Sequence, residues 1–303
     1  MKEELLRRKY GEKMWRRKNR KRSSTITAGG VTRWAFTGLN LSCVTLLCVV
    51  IVAIWCYRCE QKAHIAVKAE RVNIEAILEK EVWTEADYEV LQNQTGLAPV
   101  ALNALAEQGR KEEIPDLQET YFTPIKVRCE PNTIVSREEY VADEAGNPVS
   151  GMTIPYVENG DILITFCSHF FGWRNGHAAI VIDEKAGLVL EAQVLGAPSV
   201  VTTLKRWERY PSFMVLRLKD VSKEERAAVA EYAKDNLAGV PYRLTAGLWG
   251  RGSETLSGTQ CAHLVWYSYA HFGYDLDSDG GLLVTPYDLS RSENLEIIQK
   301  YGS

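Results

Sequence analysis

The feature that most constrains this chain is an uncharged, strongly apolar run from Trp34 to Tyr57. As an α-helix rising about 1.5 Å per residue, the run would extend about 36 Å, which exceeds the ~30 Å hydrocarbon core of a bilayer. The bulky and charged residues around Trp55 do not suit a signal-peptidase site, and a core helix rarely runs so long without charge. The sequence therefore predicts an uncleaved transmembrane helix at residues 34–57, in contact with membrane lipid.

Charge is divided unequally between the two sides of this run. Residues 1–33 contain twelve lysines and arginines against three glutamates, a net charge of +9, whereas the whole chain carries −3. Basic residues that flank a transmembrane helix stay in the cytoplasm. We therefore expect a basic cytoplasmic tail at 1–33 and a single pass through the cell membrane, with the acidic remainder outside the cytoplasm. An acidic bulk argues against nucleic acid as a partner.

The portion after the membrane run divides by its pattern. Residues 58–120 place apolar residues at helical spacing and contain no recognisable chemistry, which predicts a helical stalk. Residues 121–303 begin with short β-type runs, at 125–127, 161–164, 178–182, 188–190 and 213–216. A helix follows that is capped by Ser222 and ends at Gly239. Strands followed by helices indicate an α+β domain.

Three cysteines, Cys129, Cys167 and Cys261, belong to this domain. Three are too few for a disulfide framework, although a pair between Cys129 and Cys167 stays open. The default interpretation of a single cysteine is a small buried hydrophobe. Cys261 differs because it immediately precedes an apolar pattern of helical spacing, and unpaired amides at a helix N-terminus stabilise a thiolate. Cys261 is therefore the candidate nucleophile.

A thiol nucleophile needs a base to take its proton. His177 opens the β-type run at 178–182 and is the best placed histidine in the domain. His169 lies in an irregular stretch and is the second candidate. His263 follows Cys261 by two residues and would point to the opposite side of the same helix, so it is poorly placed.

The strand that follows His177 offers a third polar group. A five-residue hairpin loop would pair Ile182 with Leu188. In that register His177 lies opposite Gln193 and diagonal to Glu191, on one face of the hairpin. Glu191 is then the residue expected to orient the imidazole, and a change of one residue in the loop would move it to the other face.

Several short motifs occur together in the order found in one known group of enzymes. They are Gly160-Asp161-Ile162-Leu163, Gly176-His177-Ala178-Ala179-Ile180-Val181, Val189-Leu190-Glu191-Ala192, Gly239-Val240-Pro241-Tyr242 and Gln260-Cys261-Ala262-His263-Leu264-Val265-Trp266. Over residues 155–295 the chain resembles the YiiX-like, circularly permuted members of the NlpC-type papain-like cysteine hydrolases. The permuted order is indicated because the histidine precedes the cysteine.

The resemblance implies an α+β fold, a permuted papain-like domain with an antiparallel sheet and a nucleophile-bearing helix. It implies Cys261, His177 and Glu191 as a catalytic triad that uses no metal and no cofactor. The residues expected near the oxyanion or the substrate are Tyr242, Gln260 and Gln193.

The implied function is a thiol-dependent hydrolase of the peptidase or amidase type. Because the domain is expected outside the cytoplasm, a peptide of the cell wall is the first substrate that the resemblance suggests. One departure is Ala262-His263 after the cysteine, where YiiX-like proteins often have Ser-Glu. That pair is similar to the lecithin retinol acyltransferase group, so a lipid-directed acyl hydrolase or acyltransferase is an alternative. A non-catalytic binding module is the other.

Overall fold

The computed structural model describes residues 42–54, 69–133, 135–248 and 256–302, which belong to two units, Met1–Trp55 and Cys56–Ser303. In the first unit, residues 42–54 are helical and their side chains are exposed. Within the described residues, no helix is both long enough and apolar enough to cross a bilayer. The basic tail and most of the predicted span at 34–57 lie outside the described residues, so both stay predictions.

The second unit begins with a layer of short helices. Their bounds are Glu75–Leu78 (α1), Glu85–Thr95 (α2), Pro99–Glu107 (α3) and Ile114–Phe122 (α4), with a 3-10 turn at Lys111–Glu113. Local chemistry sets where they start. The Thr84 hydroxyl accepts the Asp87 amide and the Asp87 carboxylate accepts the Thr84 amide, a capping box, while Pro99 occupies the first turn of α3.

This helical layer differs from the separate stalk expected at residues 58–120. Leu91 and Leu102 are fully buried, in one cluster with Leu163 and Val215 of the main sheet. The helices that the structure describes are therefore part of the globular unit. The prediction was wrong because apolar spacing shows that a helix buries one face and does not show what covers that face.

A six-stranded antiparallel sheet crosses the centre of the unit, with strand order β10-β9-β3-β6-β7-β8. The bounds are Ile162–Thr165 (β3), His177–Asp183 (β6), Leu188–Glu191 (β7), Val200–Thr203 (β8), Phe213–Leu218 (β9) and Leu295–Tyr301 (β10). A second, four-stranded sheet has the order β1-β2-β4-β5. Its bounds are Lys126–Pro131 (β1), Ser136–Ala142 (β2), Ser168–Phe170 (β4) and Trp173–Arg174 (β5).

The remaining helices are Leu204–Trp207 (α5), Lys223–Leu237 (α6), Cys261–Ala270 (α7) and Pro286–Arg291 (α8). Because successive residues of a strand face opposite sides, the main sheet separates two cores. Leu163 and Val181 face the core shared with the helical layer. Ile164 and Ile180 face the other core, which contains side chains of α6 and α7. This second core holds the N-terminus of α7 close to the start of β6.

The α+β class and the antiparallel sheet are confirmed. Each β-type run named from the sequence coincides with a strand, and α6 lies between Ser222, whose hydroxyl accepts the Glu225 amide, and Gly239, which has a φ of +80°. Strand β2 was not predicted, because Arg137, Glu138 and Glu139 follow one another in it and remove the apolar alternation.

Candidate active site

Cys261 is the first residue of α7, and its side chain is only 5% exposed. The residue before it fixes the start of the helix. Gln260 Oε1 accepts the Ala262 amide at 2.9 Å, and Gln260 Nε2 donates to the Val284 carbonyl at 2.7 Å. The thiol is thus held at the N-terminus of α7, the positive end of the helix dipole.

His177 is the first residue of β6 and lies opposite Thr165 of β3. Its imidazole lies near enough to the Cys261 side chain for the two groups to interact electrostatically, while the Cys261 thiol donates to Gln260 Oε1 at 3.6 Å. The imidazole stacks on the indole of Trp207, with ring centroids 5.5 Å apart and planes 14° apart. Its Nε2 lies 2.7 Å from Glu191 Oε2, so Nδ1 is the nitrogen left to face the thiol. The structure therefore brings together the three residues predicted as a triad.

The preceding residue, Gly176, is required by this arrangement. Its φ is +76°, and a Cβ there would lie 2.9 Å from the Thr165 carbonyl oxygen. A side chain would push the start of β6 away from β3 and move the imidazole with it.

Strands β6 and β7 form the hairpin that aligns Glu191 with His177. The predicted pairing of these strands is correct next to His177 and wrong next to the turn. Asp183, and not Ile182, pairs with Leu188, so the loop is one residue shorter than expected. A bulge between Val181 and Asp183 compensates, because it inserts one residue into β6. Ala179 therefore faces Glu191, the register that places His177 diagonal to Glu191.

Glu191 is fully buried, and its carboxylate accepts several hydrogen bonds. Besides His177 Nε2, Gln193 Nε2 donates to Oε1 at 2.8 Å and the Thr202 hydroxyl donates to Oε1 at 2.5 Å. Burial acts to raise the pKa of this carboxyl, but the hydrogen bond and charge of His177, together with the charge of Arg206, lower it to about 2. Glu191 is consequently ionised at any ordinary working pH.

The protonated imidazole is stabilised in turn. Burial acts to lower the pKa of His177, but its interactions with the Cys261 and Glu191 side chains and the charges of both residues raise it to about 10. His177 thus stabilises the fold fully below its ordinary pKa of 6.5, and this contribution is lost as the pH rises through about 10. Between those values the site carries an imidazolium beside the thiol.

The other residues predicted near the oxyanion or substrate are placed differently. The side-chain amides of Gln260 and Gln193 are engaged with Val284 and Glu191, so neither amide is offered to a substrate. Tyr242 lies in the groove that exposes Cys261. Burial, together with the charge of Cys261, raises the pKa of Tyr242, so its hydroxyl keeps its proton and can donate it.

The remaining histidines and cysteines are outside the triad. Burial lowers the pKa of His263 to about 4, and its Nδ1 lies 3.1 Å from the Thr259 hydroxyl. His169 is buried against Glu139, with its Nε2 3.1 Å from Oε1. Burial raises the pKa of Cys167 to about 12, which makes it unreactive.

The open question of a disulfide between Cys129 and Cys167 is settled by the fold. Cys129 is exposed on β1, whereas Cys167 is buried and its Sγ lies 3.7 Å from the Ser212 carbonyl oxygen. Both positions are described, and no disulfide joins them.

A groove of about 560 Å³ opens over Cys261. Most of its surface is apolar, contributed by Val135, Phe170, Val194, Leu195, Leu244, Leu283, Val284 and Pro286. Polar side chains interrupt this surface at a few positions, among them Ser168, His169 and Asn175. The groove is a largely apolar slot that includes the Cys261 side chain in its lining.

A set of charged residues behind the triad was not predicted from the sequence. Arg206 and Trp207 come from the short helix α5, and Glu138 comes from β2. Arg206 is ion-paired with both Glu138 and Glu191. The one sequence feature that marks Glu138 is its position as a charged residue in an interrupted strand pattern. Its pairing with Arg206 could not be predicted, because the two residues are far apart in the chain.

One group of acidic residues could hold a cation. Carboxylate oxygens of Asp277, Asp279 and Asp288 lie within 4.8 Å of one another, and such oxygen sets suit Ca²⁺ or Mg²⁺. Asp288 already has a structural task, because its Oδ2 accepts the Thr285 amide at 2.8 Å and the Thr285 hydroxyl at 2.7 Å at the start of α8. The group contains no residue of the triad.

No protein-family model matches the chain, and no curated protein matches its sequence. A solved structure described as the metalloprotein yiiX from Escherichia coli O157:H7 is similar over 48% of this chain and 98% of that chain, with 17% identical residues and a TM-score of 0.38. A TM-score of this size indicates only a partial likeness of fold. The name is that of the group whose motifs the sequence resembles; neither the permutation nor the NlpC-type assignment follows from it.

Proposed function

We propose that this protein is a thiol-dependent acyl hydrolase or acyltransferase with a permuted papain-like, NlpC-type domain. Cys261 is the nucleophile, His177 its acid and base, and Glu191 the residue that orients the imidazole. The observation that carries the proposal is the chain of side chains in which the Cys261 thiol lies beside the His177 imidazole and His177 Nε2 lies 2.7 Å from the buried Glu191 carboxylate. Such a chain activates a nucleophile and holds its base in one tautomer.

The reaction follows from these positions. The Cys261 thiolate attacks a carbonyl carbon, forming a C–S bond and an oxyanion that the Cys261 amide and the Tyr242 hydroxyl stabilise. The oxyanion collapses, the C–N or C–O bond breaks, and the leaving group takes the proton of the His177 imidazolium. Neutral His177 then accepts a proton from water or an acceptor alcohol, whose oxygen attacks the thioester. The C–S bond breaks, and thiolate and imidazolium are restored.

The groove favours an apolar acyl group over the cell-wall peptide expected first from the sequence. A polar stem peptide would leave side chains such as Leu195, Leu244 and Leu283 against polar groups, whereas a hydrocarbon chain would bury them. We therefore assign the substrate to amides or esters of apolar acyl chains. The uncharged run at 34–57 would hold such an enzyme at the membrane that contains its substrate.

The test is the dependence of hydrolysis on acyl-chain length. We expect kcat/KM of the full-length protein in bilayer nanodiscs to rise from p-nitrophenyl acetate to p-nitrophenyl octanoate. Each buried CH₂ contributes about 0.8 kcal/mol, or about fourfold, until the groove is filled. Leu195→Asp should remove most of this gain and leave acetate hydrolysis nearly unchanged.

The matched control is Leu282→Asp, because Leu282 is 74% exposed and does not line the groove. It should leave the whole series unchanged. Rates that do not depend on chain length, combined with cleavage of a stem peptide, would contradict the acyl assignment and support the peptidase. If neither the acyl esters nor the stem peptide is turned over in a thiol-dependent way, the non-catalytic binding module is the function that remains.

Glu191→Gln provides a test of the orienting role. Glutamine keeps the size and an acceptor oxygen but has no charge to stabilise the imidazolium, so turnover of the ester should fall on the order of 10²- to 10⁴-fold with little change in KM. Gln193→Ala removes one donor to Glu191 and leaves the bonds from His177 and Thr202, so it should cost less than about threefold. Steady-state kinetics and thermal unfolding of both variants check this. A crippling Gln193→Ala with a harmless Glu191→Gln would contradict the observed register.

A further inference from the structure

Behind the triad, the side chain of Arg206 lies between two buried carboxylates. Arg206 Nη2 is 2.9 Å from Glu138 Oε2 and 3.1 Å from Glu138 Oε1. On the other side, Arg206 Nε is 3.4 Å from Glu191 Oε1. Arg206 therefore joins the third residue of the triad to an acid on a different sheet.

Glu138 is as deeply buried as the triad, at 2% exposure. The Tyr210 hydroxyl donates to its Oε1 at 3.1 Å, and the Tyr140 hydroxyl donates to its Oε2. Burial acts to raise the pKa of Glu138, but the charges of Arg206 and His177 and the hydrogen bond from Tyr140 lower it. The site therefore holds two carboxylates and two cations in alternation: Glu138, Arg206, Glu191 and the His177 imidazolium.

We propose that Arg206 and Glu138 are positioning residues which keep Glu191 ionised and so keep His177 charged beside Cys261. The inference rests on the proposed function, since it assigns roles relative to the triad. Glu191 needs a cation besides His177, because the His177 proton leaves during each turnover. At that moment Arg206 is the remaining cation paired with the buried carboxylate. Glu138 in turn balances Arg206 when His177 is charged again.

The alternative is that the same residues only hold α5 against the sheet. Charge balance distinguishes the two roles. Arg206→Met leaves two buried carboxylates without the cation between them, so one of them should take up a proton at higher pH. Adding Glu138→Gln removes the second negative charge and should restore ionisation of Glu191. A merely structural role gives no reason for the double variant to exceed the single one.

The groups that face His177 must be considered together in reading its pH dependence. They are Cys261 from α7, Glu191 from β7, Glu138 from β2, Trp207 from α5 and Thr165 from β3, with Arg206 from α5 paired to Glu191 behind them. Cys261, Glu191, Glu138 and Arg206 are the charged or titratable members, and the two proposed substitutions change two of these four.

The experiment measures the rate of Cys261 alkylation by iodoacetamide, and kcat/KM for the ester, from pH 4 to pH 10. Arg206→Met should lower kcat/KM at least tenfold at neutral pH and move the acidic limb of both profiles upward by about one pH unit or more. Arg206→Met with Glu138→Gln should return kcat/KM to within about threefold of wild type and restore the limb. Circular dichroism and thermal unfolding establish that each variant folds.

Lys205→Met is the matched control. It removes one positive charge from the same helix, but Lys205 is exposed and its partner is Glu208, at 3.2 Å, so both profiles should be unchanged. Arg206→Met with an unchanged pH profile, or a double variant that is no better than the single one, would overturn the positioning role. If Cys261 is alkylated at the same rate in His177→Ala as in the wild type, the proposed function itself would be overturned, so the two failures are distinguishable.

Discussion

Replacement of Cys261 by serine is expected to lower ester hydrolysis by at least about 10³-fold and to abolish the covalent acyl intermediate. A hydroxyl is far less ionised than a thiol at neutral pH, and His177 and Glu191 are arranged here to stabilise a thiolate. The fold should persist, because the substitution changes little volume and the N-cap made by Gln260 does not depend on sulfur. Intact-protein mass spectrometry after reaction with the ester, together with steady-state rates, checks both statements.

The other two cysteines in the described part of the globular unit, Cys129 and Cys167, provide the comparison. Cys129→Ser and Cys167→Ser should each retain turnover, since Cys129 is exposed on β1 and Cys167 is buried against Ser212. In the wild type, iodoacetamide should label Cys261 faster than either. An acyl adduct that maps to Cys129 or to any position other than residue 261 would exclude Cys261 as the nucleophile.

The sequence pattern was sufficient to predict those parts of the site that depend on residues close together in the chain. Cys261 at a helix start, His177 at a strand start and Glu191 across a hairpin are each defined within a few residues. Helix capping and strand alternation act over that range. The bulge between Val181 and Asp183 shows the limit, because two errors in the turn cancelled and left the register at His177 intact.

The residues that complete the site are not local. Glu138 and Arg206 are 68 positions apart and meet because β2 and α5 belong to different parts of the fold. The helices before residue 121 were taken for a stalk for the same reason, since the partner of Leu91 or Leu102 is a sheet that follows much later in the chain. Pairing over such distances depends on topology, which periodicity does not encode.

Replacement of His177 by alanine should have the second largest effect, which is measured on the reactivity of Cys261. In His177→Ala the thiol loses its imidazolium partner, so alkylation by iodoacetamide at pH 7 should slow by about tenfold or more, and the rate–pH curve should move to higher pH. A thiol without such a partner is only a few per cent ionised at pH 7. The N-terminus of α7 should still retain part of the wild-type reactivity, because its amides and dipole are unchanged.

The wild-type alkylation curve follows from the pKa of His177. Against the effect of burial, its interactions with the Cys261 and Glu191 side chains and the charges of both residues raise this pKa to about 10. The imidazolium should therefore persist from neutral pH to about pH 10, and an imidazole resonance observed by NMR should titrate there. The same resonance should titrate at lower pH in Glu191→Gln, because the buried carboxylate no longer favours the charged ring. Two results would contradict the catalytic pair: titration of His177 near its ordinary value of 6.5 in the wild type, and an unchanged alkylation curve in His177→Ala. Together they would show that the imidazole does not act on the thiol, and the groove would then be a binding site without catalysis.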